Sequence, residues 1–190
     1  MLSFEEFVLK EAPKKIPDQQ MGYDDKKKID DLHFVLSNGK VVGSFNGLNI
    51  YQSKVGDLII VGCIFNNKVI YSSDFKRIDG NTVQQSAVWR DKSDELRDKT
   101  EGVIKHVIFN IILKKYSLLS GCSQTRHGNM LWTKTLLPTA LSKKFKCCVV
   151  NLKDKSEFGI NDLADVDGHN NAVYTDKESY TQLVYKIYKR

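Results

Sequence analysis

The chain has no apolar stretch near the roughly 20 residues that cross a bilayer. Its longest, 103–113, is interrupted by Lys105, His106 and Asn110. The N-terminus, MLSFEEFVLKEAPKK, opens acidic and lacks the apolar centre of a signal peptide, so an intracellular protein is expected. Its 4 cysteines, Cys63, Cys122, Cys147 and Cys148, have no CxxC spacing and no clustered histidines, which speaks against zinc. Adjacent in a strand, Cys147 and Cys148 would face opposite sides of the sheet, and free, mostly buried thiols are expected. No basic run carries interleaved aromatics. The net charge of +6 is scattered among acids, as in DDKKKIDD at 24–31, which argues against direct nucleic-acid binding. An acidic small molecule, such as a nucleotide-containing cofactor, would suit the same charge.

What is present reads as one ordinary domain: 190 residues, 41% hydrophobic and 27% charged. Phe4, Phe7, Val8 and Leu9 form an amphipathic turn or two, with Ser3 as N-cap and Glu6 three residues later. Pro13 and Pro17 end it. Residues 1–29 are thus an amphipathic leader and polar linker, and 30–190 the folded domain.

Two strand-like runs follow in LHFVLSNGKVVGSFNGLNIYQS, with Ser37, Asn38 and Gly39 as the turn. Two more lie in DLIIVGCIFNNKVIYSSDFKRI, turning at Asn66 and Asn67 because Asn tolerates positive φ. NTVQQSAVWR, 81–90, is a fifth, so 32–90 reads as an antiparallel meander. Val103, Ile104, Val107, Ile108, Ile111 and Ile112 recur at helical spacing and predict a core-facing helix of about fifteen residues. YSLLSG is a short strand, GNMLWTKTLLPTALSKKF a helix that meets Pro138, KCCVVNLKD a buried strand and LVYKIYKR the last strand. LADVDGHNNAVYTD at 163–176 resembles an oxygen-rich calcium loop but lacks the bidentate Glu at its twelfth position; it reads as a turn-rich loop, with no metal site.

A meander, a long helix, β-α-β and a last antiparallel strand resemble the GCN5-related N-acetyltransferase (GNAT) fold. The residues carrying the resemblance are VQQSAVW (83–89), EGVIKHVIFNIILKKY (101–116) and SLLSGCSQTRHGNMLWTKTL (117–136). The last is similar to virus-encoded acetyltransferase-like proteins, in which a strand is followed by Gln-Thr, a Gly and a Leu-Trp pair. The opening SFEEFVLKEA resembles leaders on tailed-phage proteins, and Leu9-Lys10-Glu11 resembles the cleavage signals of phage head proteins. The resemblance implies an α+β, three-layer domain. Its mixed, mostly antiparallel sheet would have about 6–7 strands flanked by helices.

It also implies an acetyl-CoA site. Ala87, Val88 and Trp89 would meet the pantetheine through their backbones, with Arg90, Arg97 and Gly102 near the pyrophosphate. His127, or else His106 or Glu101, would be the base. The acid that protonates the thiolate would be a late tyrosine, with Tyr174 chosen from Tyr174, Tyr180, Tyr185 and Tyr188. Ser120, Cys122 and Ser123 would stand near the cofactor. A bland reading of the same patch has Ser123 or Thr125 capping a helix, Gly128 permitting close approach and Trp132 filling the core.

The family's phosphate loop is glycine-rich, whereas RDKSDELRDKTEG, 90–102, has no glycine before Gly102 and carries Asp91, Asp94, Glu95 and Asp98. Carboxylates repel a pyrophosphate and non-Gly residues resist the curl. The expectation is therefore a phage-type protein with a degraded acyl-CoA loop. It would act by binding a protein, in virion assembly or against a host factor, in the host cytoplasm or the virion. The alternative is an active acetyl-CoA-dependent N-acyltransferase.

Overall fold

The computed structural model describes residues 26–91, 93–122, 126–173 and 182–189. The leader with its cleavage-like signal, Ser123, Thr125, Tyr174 and Tyr180 lie outside the described residues. By contacts the chain divides between Lys115 and Tyr116 into two compact units.

The first unit begins with α1, Lys26–Ser37. Leu32, Val35 and Leu36, at helical spacing, turn inward onto Ile60, Val69, Tyr51 and Trp89. The run 32–36, expected as a strand, is therefore helix. Ser37, Asn38 and Gly39 are its C-terminal turn, where the Gly39 N–H donates to the Leu36 carbonyl at 2.9 Å. Gly62 lets α1 down: a Cβ there would lie 2.5 Å from Leu36 Cδ1 and 2.6 Å from the Tyr71 carbonyl oxygen.

Five strands follow as an antiparallel meander: β1 Lys40–Phe45, β2 Leu48–Val55, β3 Leu58–Phe65, β4 Lys68–Arg77 and β5 Thr82–Arg90. The first hairpin turns at Asn46 and Gly47, φ 47 and 75, and the third at Asn66 and Asn67, φ 48 and 60, as Asn and Gly allow. Cys63 lies opposite both Ile50 and Tyr71, and Tyr71 opposite Arg90.

After β5 come α2, Asp94–Thr100, and α3, Val103–Val107, which continues as the π-helical Ile108–Ile112. The periodic helix is present but shorter than expected. The Leu113 N–H closes the π-turn on the Ile108 carbonyl at 2.9 Å. Val103, Val107, Ile108, Ile111 and Ile112 are buried, so the apolar stripe read from the sequence is the inward face.

The second unit holds β6 Ser117–Leu119, β7 Cys147–Asn151, β8 Glu157–Ile160 and β9 Leu183–Ile187, in the order β6-β9-β7-β8. All three of these neighbouring pairs are antiparallel. Between β6 and β7 runs one continuous helix: α4 Arg126–Leu131, the π-helical Trp132–Leu136 and α5 Leu137–Ser142. Pro138, which cannot donate an intrahelical bond, stands just beyond the widened π-turn, with only Leu137 between. Trp132 is buried and stacks on Tyr185, centroids 6.1 Å apart. α6, Leu163–Val173, occupies most of the stretch expected as a turn-rich loop.

The fold is α+β and its pairing mostly antiparallel, as expected, but the described residues hold nine strands where about six or seven were anticipated. No helix among the described residues is long and apolar enough to cross a membrane.

Candidate functional site

The stretch that corresponds to the family's phosphate loop, expected not to curl around a pyrophosphate, is helical over Asp94–Thr100. Asp94 and Glu95 occupy the first turn of α2, where their carboxylates answer the helix dipole that an anion would otherwise use. The Leu96 N–H goes to the Ser93 carbonyl at 3.1 Å and the Glu101 N–H to the Arg97 carbonyl at 2.8 Å. One backbone donor near each end of this segment is thus committed to its own chain. Gly102 adopts φ 79 and caps α3, the left-handed geometry that glycine takes without strain. Arg97 is exposed on the last turn of α2, beside Lys99, whose Nζ lies 4.7 Å from the Phe65 ring centroid.

Of the predicted pantetheine contacts, Trp89 packs against the α1 core, Val88 is exposed and Ala87 is half-buried; Arg90, predicted near the pyrophosphate, is exposed. These positions share the first unit with Arg97 and Gly102. His127 belongs to the second unit, exposed on the first turn of α4. Tyr174 is outside the described residues.

His106 tilts against Phe45, centroids 5.1 Å apart, and its Nδ1 stands 3.1 Å from the Asn110 amide nitrogen. An amide nitrogen only donates, so Nδ1 accepts and the basic lone pair is occupied. Burial, then the Lys114 charge, lowers the pKa of His106 and keeps the ring neutral. It is a poor proton acceptor in this arrangement.

The two described late tyrosines differ. Tyr185 is fully buried, stacked on Trp132, with its hydroxyl donating to Asn170 Oδ1 at 3.4 Å. Burial, followed by the Asp167 charge, pushes its phenol up to about 12, and its role is packing. Tyr188 is half-buried, and its hydroxyl donates to Glu157 Oε1. Lys186 Nζ donates to the same carboxylate oxygen and to the Tyr188 hydroxyl, each at 3.1 Å. Lys146 Nζ lies 3.8 Å from Glu157 Oε2. The two ammonium groups stand 4.5 and 4.2 Å from the centroid of the Tyr188 ring.

This cluster joins three strands on one face, since Lys186 pairs with Cys148 and Glu157 with Val150. The Tyr188 hydrogen bond, ahead of the Lys186 contacts, outweighs burial and holds the Glu157 carboxyl below its usual range. Burial, then Glu157, pushes Tyr188 up to about 12. Burial pulls Lys186 down, but bonds to Tyr188 and Glu157 outweigh it and raise its pKa. Cys148 beneath them is pushed up to about 11, first by burial, so it is a packed thiol rather than a nucleophile.

Sequence reasoning named Tyr188 but missed Lys146, Lys186 and Glu157. The Tyr-Lys-Ile-Tyr alternation does put Lys186 and Tyr188 on one face of a strand. Nothing in the sequence singles out Glu157, which arrives from β8. No family model, curated protein or solved structure matches the chain.

Proposed function

We propose that the chain is a phage-type protein with an acetyltransferase-like fold, that its acyl-CoA loop has been lost, and that it acts by binding another protein, in virion assembly or on a host factor. Its place would be the host cytoplasm or the virion. Supporting the fold reading are a meander leading to a helix, a β-α-β unit with the helix between β6 and β7, and a last strand antiparallel to both β6 and β7. The observation that carries loss of the loop is α2. Residues 94–100 form a closed helix headed by two carboxylates where a phosphate cradle would need open N–H groups and glycine.

Calorimetric titration with acetyl-CoA and with CoA tests this reading. The expected result is no heat of binding at millimolar ligand. Micromolar binding would overturn it in favour of a working acetyl-CoA-dependent N-acyltransferase, a reading favoured only by the left-handed Gly102 at the head of α3. In that case Arg90→Ala and Gly102→Asp should raise the KM for acetyl-CoA.

A further inference from the structure

Resting on the protein-binding reading, we propose that Lys146, Lys186 and Tyr188 form a carboxylate-binding site, which the chain's own Glu157 fills and an acidic segment of the partner protein takes over.

Three donors converge on one carboxylate. Lys186 and the Tyr188 hydroxyl share Oε1, and Lys146 stands on the Oε2 side. Two ammonium charges against one carboxylate leave a surplus of one positive charge. Such a surplus attracts an acidic chain and sets its register.

Glu157 is suited to exchange. It comes from a four-residue strand that, among the described residues, pairs with β7 alone and has three of its four residues exposed. Of the receiving groups Lys186 is the better held: it also bonds the Tyr188 hydroxyl, and only 18% of its side chain is exposed. Among the described residues no strand pairs with the outer edge of β8, which can offer backbone groups to an incoming strand.

The test is fluorescence anisotropy of a labelled oligoglutamate peptide with the full chain at low salt. Glu157→Gln, which removes the internal competitor at nearly constant shape, should bind the peptide about tenfold more tightly than the natural chain. Adding Lys186→Gln to Glu157→Gln should abolish that gain, and adding Tyr188→Phe should reduce it. Lys68→Gln, an equal charge change on an exposed residue of the first unit, should leave affinity unchanged. If Glu157→Gln binds no better, or Lys68→Gln weakens binding as much as Lys186→Gln, the site is refuted. Should Lys186→Gln fail to fold, Lys146→Gln, on a side chain 67% exposed, carries the same test. Acetyl-CoA titration reports on residues 87–102 and not on Lys146 or Glu157, so failure of the site and failure of the protein-binding reading are distinguishable.

Discussion

Two pairs of buried hydroxyls, one pair in each unit, meet opposite fates. In the second, Ser117 and Ser120 are buried and each accepts a backbone N–H: Lys189 donates to Ser117 Oγ at 3.2 Å and Tyr185 to Ser120 Oγ at 3.1 Å. In the first, the Tyr71 hydroxyl and Ser73 Oγ are buried with no hydrogen-bond partner; Ser73 slightly tempers the rise that burial imposes on the phenol, without closing a bond of ordinary geometry. The difference follows from topology. Meander strands meet through short turns, so backbone pairing suffices. β6 must hold β9, with the serine contacts spanning 72 and 65 residues of chain, and side chains reinforce that closure.

If this contrast is right, removing a hydroxyl should have opposite signs in the two units. Ser120→Ala leaves the buried Tyr185 N–H without its acceptor and should cost about 1 to 3 kcal/mol in chemical denaturation. A loss below about 0.5 kcal/mol would deny the serine this role. Ser73→Ala and Tyr71→Phe instead remove polar atoms that are desolvated without return. Each should be neutral or stabilising by up to about 1 kcal/mol, and a clear loss would mean that the two hydroxyls are bonded in solution.

The smallest effect is on pH dependence. The folded-state pKa of Glu157 is depressed, so its contribution is complete above the ordinary glutamate range and is lost as pH falls through the folded value. Tyr188 has the opposite sign: its contribution is lost as pH rises from its ordinary 10.0 toward about 12. Melting temperature against pH should therefore show a shallower acid limb in Glu157→Gln. An unchanged limb would place the acid sensitivity elsewhere.

The same contrast governs what the sequence made legible. Asn66 and Asn67 announce their hairpin because local φ is their own property, and Val103 to Ile112 announce a helix because one face carries the apolar residues. α1 was misread because Leu32, Val35 and Leu36 lie within so short a run that alternation and helical spacing both fit, and Asn46-Gly47, not Asn38-Gly39, makes the first hairpin turn. α2 presents almost only charge, with Thr100 its one fully buried residue, and α6 buries Val166 and Val173 seven positions apart with Gly168 between them. Neither offers a dense stripe. β8 has one buried residue in four, and its pairing is set by β7, so the carboxylate cluster it completes could not be assembled from local pattern.

The two π-turns bear on how the chain length can change. Closing a helical ring from i to i+5 spends one residue more than closing it from i to i+4. Ile108–Ile112 and Trp132–Leu136 therefore each hold one residue in surplus of a regular helix joining the same flanks. A one-residue deletion inside either turn would restore ordinary α geometry while leaving Val103 or Ala140 facing the same way; a deletion elsewhere in these helices would swing everything beyond it by about 100°. Within these helices, the two turns are where the chain can lose a residue without moving its core.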